Sequence, residues 1–370
     1  MSMMDASTGA RYFEKEEPAA ATIDVSLHLH GSLEFAESEL ERLYGNIYAS
    51  MKEWRVTGEL GNDVSAYVEI KGGVVTTLYL FRVRGREVRV LNEGIRVDNT
   101  EADRFAETIF AACPGIGVIT FHAVRSTMRE LRYPCHRYAC LEDIVLKLPA
   151  SADAYLAGMG SATRSYIKRY LNKARRSLPS FQHDVTFGAD IDVQELREVI
   201  AFNKLRMEGK GKEQGIDERE LHRILALAKE CGMLCVVRID GKIRAGTINF
   251  RVGDNYFLEV IAHDPAYNEF RLGTLCCYLT ICECIARNGR EYHFLWGPQE
   301  YKFRLQGVQE ELAHLTIYRS RRHALLCAAT VIQNLRREWS RKGKAWLRQA
   351  REGESGTGRL LSRMIGMLRR

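Results

Sequence analysis

Proline is scarce in this chain, 7 of 370 residues, and tryptophan scarcer still at 4. Few rings that fix φ and delete a backbone donor leave long stretches free for helices and ladders, and exclude collagen-like and proline-rich classes. No apolar run approaches the ~20 residues that span a bilayer. The longest candidate, Ala324–Ile332, is less than half of that. The first residues, MSMMDASTGARYFEKEEPAAA, lack the basic-then-apolar order of a signal peptide, so a cytoplasmic protein is expected. None of the ten cysteines forms a C-x-x-C pair or a zinc-type Cys/His spacing. Cys276, Cys277, Cys282 and Cys284 crowd one apolar segment and read as small core residues, so no metal is expected.

What is present is an ordinary globular mixture, 46% hydrophobic and 27% charged, in a length that suits two domains or three. Charge is uneven. From Arg319 to Arg370 there are 14 basic and 3 acidic residues, so that segment carries +11 and the rest −4 of the net +7. The body is not basic, and no nucleic-acid partner is expected of it.

Residues 1–30 read as a disordered leader, aperiodic to about residue 22. A helix is predicted over Leu33–Lys52, then strands at Val64–Ile70, Val74–Phe81 and Glu87–Leu91 joined by glycine turns. Thr100–Ala112 is an amphipathic helix, Gly117–His122 a buried strand, and Arg137–Leu148 contains another. A linker at 149–152 and a basic helical segment follow. The second half repeats the order: helices at Val193–Glu208 and Glu218–Cys231, strands at Met233–Ile239, Ile243–Arg251 and Tyr256–Ala262, a long helix over Leu272–Asn288, and strands at Tyr292–Trp296 and Leu312–Tyr318. Two copies of one α/β unit are expected, over 31–150 and 151–320. The tail, 321–370, has two helical pieces around a Gly/Ser break and pairs arginines with Trp339, Trp346 and Leu360–Leu368, a basic amphipathic pattern suited to an anionic membrane surface, to an arm for a partner protein or to a solubilising tail.

The chemistry concentrates in Tyr256–Lys302. A strand leads through a tight loop into a helix whose first amides are unpaired and whose dipole favours an anion. Gly273 lets backbone approach a phosphate closely, and Arg271 adds charge. Two further details stand out: His263-Asp264-Pro265-Ala266-Tyr267 at the strand end, and Gly297-Pro298-Gln299-Glu300-Tyr301-Lys302 after the next strand. Together with the basic run Arg164–Arg176 and the helix around Arg206, this order resembles the acetyl-CoA-binding half of the GNAT acyltransferase fold. More narrowly it resembles the CelD/BcsL-type acetyltransferases, related to the FemAB-like tandem GNAT proteins. At the phosphate loop only the central Gly273 fits the usual GNAT pattern.

The resemblance implies an α/β protein of two tandem GNAT-like mixed-sheet units with a basic helical tail. It implies acetyl-CoA, or another acyl-CoA, as co-substrate, and direct transfer to an amino or hydroxyl group of a sugar or polysaccharide precursor. Splayed strand residues Val260, Ile261 and Ala262 would bind its arm, and Arg271, Leu272, Gly273 and Thr274 its diphosphate. Glu259, among apolar neighbours that would raise its pKa, is the candidate base, unless strand alternation turns it to solvent. His263 is the alternative base, and Tyr301 the candidate proton donor to the thiolate. Arg164, Lys168, Arg206, Glu300 and Lys302 are candidate substrate contacts. The partners expected are a small-molecule or glycan acceptor and, through the tail, the inner face of the membrane. Two other readings stay open: a FemAB-like aminoacyl transferase using aminoacyl-tRNA, and an inactive binding module of a polysaccharide-biosynthesis assembly.

Overall fold

The structure is a computed structural model and describes residues 23–29, 33, 35–126, 130–208 and 216–327, the side chains of Arg206 and Glu208 excepted. The first half runs β1 (Ile23–His28), α1 (Ala36–Tyr44), α2 (Met51–Thr57), β2 (Val64–Lys71), β3 (Val74–Arg84), β4 (Glu87–Val90), α3 (Asn99–Ala112), β5 (Val118–Val124) and β6 (Cys135–Lys147). Two helices, α4 (Ala152–Gly158) and α5 (Ser161–Ser177), lead into the second half. There follow β7 (Gln182–Phe187), α6 (Val193–Glu208), α7 (Glu218–Cys231), β8 (Gly232–Ile239), β9 (Lys242–Val252), β10 (Asn255–His263), α8 (Leu272–Ala286), β11 (Glu291–His293), α9 (Glu300–Arg304), β12 (Val308–Tyr318) and α10 (Arg321–Leu326).

All twelve strands among the described residues share one sheet, ordered β1-β2-β3-β4-β5-β12-β6-β11-β10-β9-β8-β7. Two neighbouring pairs are parallel, β4 with β5 and β10 with β11, and the rest are antiparallel. Read outward from the centre, β1 to β5 mirror β7 to β11 in chain order. The sixth strands are exchanged: β6 pairs with β11, and β12 with β5. The exchange is built into the cores. Leu315 and Ile317 of β12 pack with Phe105 of α3, while Ile144 and Leu146 of β6 pack with Leu275 and Cys276 of α8.

Two sequence expectations change here. Ile23–His28, placed in the leader, forms β1 on the outer edge of β2. The helix expected over Leu33–Lys52 is broken. Gly45, at φ +49°, ends α1, a 3-10 turn covers Ile47–Ala49, and Ser50 then caps α2. A side chain at Gly45 would meet Asn255 at 3.0 Å, so the break lets the first half dock on β10. Strand β7, absent from the sequence reading, pairs with β8 at the far edge.

In the second half the sheet separates two layers. Phe257, Val260 and Ala262 of β10 pack against α6 and α7, together with Ile47 from the first half. Tyr256 and Leu258 pack against α8, α4 and α5. The cysteines of α8 lie in this second layer, with Cys276, Cys277 and Cys284 buried, and burial drives the Cys277 thiol up to about 12. No described helix is long and apolar enough to cross a membrane. Most of the basic tail, residues 328–370, lies outside the described residues.

Candidate active site

β10 and β11 stay in register only from Asn255 opposite Glu291 to Phe257 opposite His293. Past that point β10 continues to His263 against β9, while the other chain turns away at Leu295, φ +57°. The sheet is therefore open on one side of residues 258–263. The equivalent place in the first half is closed. There Gly94 and Val97 donate to Ala123 and Arg125 carbonyls, and Arg125 donates back to Ile95.

The helices that follow these two places differ as well. Asp98 caps α3 in a capping box, its carboxylate accepting from the Glu101 N–H. α8 has Arg271 at the capping position, in a left-handed conformation (φ +55°), with no side-chain cap. Its first amides thus lack the acceptor that α3 supplies for itself. Arg271 is exposed, and it hydrogen-bonds the Tyr170 hydroxyl and pulls its pKa down. Leu272 and Gly273 are buried, and His263 is held by Asn268 at 2.7 Å. A Cβ on Gly273 would lie 2.8 Å from the His263 ring, so glycine here makes room for a side chain. Thr274, bonded by Tyr166, faces a cavity of about 290 Å³. Ala162, Thr163, Tyr166 and Ile167 of α5 form one wall of it, and Tyr301 and Arg304 another.

Glu259 sits on the other side of the sheet. A bulge between Leu258 and Val260 adds one residue to β10, shifting its register against β9. The carboxylate faces α7, 3.4 Å from Arg223 Nη1. Arg223 also pairs with Glu53 at 2.8 Å and Glu220 at 2.7 Å, so three carboxylates share one guanidinium. Burial foremost pushes the Glu259 pKa up to about 7, Arg223 opposing and Glu220 and Glu53 assisting. Its Oε2 is buried without a hydrogen-bond partner. A cleft of about 720 Å³ lined by Val56 and Thr57 of α2 and by Glu220, Arg223 and Ala226 of α7 reaches the cluster.

The sequence-based candidates thus fall into separate places. Glu259 faces α7, whereas His263 lies over α8 and does not converge with it. Tyr301 lines the α5/α8 cavity. Val260 and Ala262 turn their side chains into the α6 layer. Lys302 is 3% exposed, and its ammonium donates to the carbonyls of Phe294 (2.7 Å), Leu295 (3.1 Å) and Trp296 (2.7 Å). All three of its protons are spent on the turn after β11, which corrects its reading as a substrate contact; burial lowers its pKa to about 8. Arg164 donates to the Ala157 carbonyl, Lys168 is exposed on α5, and Glu300 pairs with Arg304 on the surface. None of these three lines the cavity, where Arg304 is the cation. The Arg206 side chain lies outside the described residues. Arg223, Glu53 and Tyr48 escaped the sequence reading because only folding brings them to Glu259.

A sheet opened between parallel strands, with an uncapped helix on one side and a buried, near-neutral carboxylate on the other, offers the positioning and the base that direct group transfer can use. Residues 161–303 match the family model described as an acetyltransferase (GNAT) domain, and the protein is an acyltransferase. FemX is similar in fold, with a TM-score of 0.57 and 10% identity over 81% of this chain and 99% of that one. A conserved protein of unknown function from Bacteroides thetaiotaomicron is also similar, with a TM-score of 0.51 and 12% identity over 77% of this chain and 97% of the other. No curated protein sequence matches. The whole is a mixed α/β protein with one large mixed sheet, and the GNAT domain match lies in its second half.

Proposed function

We propose that the protein transfers an acyl group from acyl-CoA directly to an N–H or O–H acceptor. The donor enters from the α5/α8 side and the acceptor from the α2/α7 side. The observation that carries this reading is the contrast between two equivalent corners of one molecule: the first is laced shut and capped by its own Asp98, the second is open and uncapped. A corner kept without an internal acceptor is suited to an external one.

The residues present fit such a co-substrate. The amides opening α8, with Arg271 beside them, would hold its diphosphate. The cavity under Tyr166 and Tyr301 would take the arm, and the unpaired edge of residues 258–262 would bond it. Bound acyl-CoA supplies an activated thioester. Glu259 Oε2, unpartnered and near neutrality, takes the proton from the acceptor. Tyr301, on the opposite side of the open strands, is placed to return one to the departing sulfur. A sugar or polysaccharide precursor as acceptor, and a membrane surface as the place of work, rest on the sequence resemblance and on the basic tail.

Acetyl-CoA should raise the melting temperature of the full chain by several degrees at millimolar concentration. No shift with acetyl-CoA or longer acyl-CoAs overturns this reading and favours the aminoacyl-tRNA or binding-module alternatives.

A further inference from the structure

We propose that the acceptor is anchored by a primary ammonium group, held between the two halves in a cavity lined by Asn46, Tyr48, Glu93, Asp143, Phe257 and Trp296. As an acceptor subsite it rests on the acyl-transfer reading, because Tyr48 also feels the charge of Glu259. Both halves build it: Asn46, Tyr48, Glu93 and Asp143 precede the linker, and Phe257 and Trp296 follow it.

Three features select the ligand. The first is charge. Asp143, 5% exposed, binds Arg125 (3.5 Å) and His293 (2.7 Å) through one oxygen, Oδ2. Its other oxygen, Oδ1, is buried with no partner. Glu93 lines the same cavity, with its Arg89 partner 4.0 Å off. A buried, unpaired carboxylate oxygen is costly, and a cationic donor removes the cost. The second is size. The cavity measures about 20 Å³. A water-sized group needs roughly 10–15 Å³, so an –NH₃⁺ head fits and a trimethylated one does not. The third is the aromatic wall. Tyr48 and Trp296 approach to 5.1 Å between ring centres, and Trp296 keeps 45% of its surface exposed at the mouth. Ring faces attract a cation more strongly than a neutral hydroxyl group.

The test is titration of the full chain with 1,3-diaminopropane, and with 1,3-propanediol and tetramethylammonium at the same ionic strength. Only the diamine should bind. Glu93→Gln should weaken it at least tenfold, and Trp296→Ala, a change at an exposed position, should weaken it as well. Equal responses to the three compounds, or wild-type affinity in both variants, overturns the proposal. Adding acetyl-CoA separates it from the reading it builds on. Diamine binding without release of free thiol leaves the ammonium site standing and counts against acyl transfer.

Discussion

Glu259 shows how much one inserted residue decides. Strand alternation alone leaves its direction open, and the bulge settles it by turning the carboxylate toward α7. Burial then sets its pKa near 7. As a base it must be ionised, so turnover should rise with pH through about 7 and level off above. Glu259→Gln should cut kcat at least tenfold and abolish that limb; an unchanged profile removes Glu259 as the base. The same shift has a stability sign. A carboxyl whose pKa is higher folded than unfolded binds more protons when folded, so its stabilisation is full below the unfolded value of 4.5 and is lost as pH rises through 7. At pH 8 the Gln variant should therefore melt higher than the parent, and by much less at pH 4. Calorimetry at the two pH values reads the difference. Lys302 carries the complementary lesson. Its sequence neighbours suggested a charge offered to a ligand, and only the turn after β11 shows where its protons go.

The two helices α3 and α8 occupy the same place in their halves and begin differently. Asp98→Ala should remove a cap worth about 1 kcal/mol and lower the melting temperature by a few degrees, with the KM for acetyl-CoA unchanged. Arg271→Asp should do the reverse. It puts a carboxylate at the exposed mouth of α8, so the KM for acetyl-CoA should rise at least tenfold while the melting temperature stays within a few degrees. If both variants alter only stability, the uncapped corner has no donor role. The acidic first turn of α3 was legible in the sequence, and so was the glycine of α8. That the two corners are counterparts, one sealed and one open, was not, because backbone pairing between Gly94–Val97 and Ala123–Arg125 leaves no residue pattern.

At the scale of the molecule the exchange of β6 and β12 makes the halves interdependent. Residues 151–327 alone lack β6, which supplies the partner strand for both β11 and β12 and the core residues Ile144 and Leu146. That fragment should show no cooperative thermal transition, whereas the full chain should unfold in a single one. Cooperative unfolding of the isolated fragment shows that the exchange is dispensable. The same exchange brings Asp143 beside His293 at the centre of the sheet, which no reading of either half by itself foresees.

The sequence by itself determined most of the elements and their repetition, β1, β7 and the break at Gly45 excepted: alternation in the meanders, turn glycines, the helix of 272–286 and the strand before it are local preferences that need no partner. It also placed Glu259, Arg271, Gly273 and Tyr301 within one stretch of fewer than fifty residues, close enough in the chain to suggest one site. The tertiary structure alone decided which faces those residues take. The bulge lies within one hairpin of β9 and β10, whereas an exchanged strand and a broken helix follow from contacts between residues over a hundred positions apart. Such contacts depend on the shape of the packed sheet and leave no period in the chain.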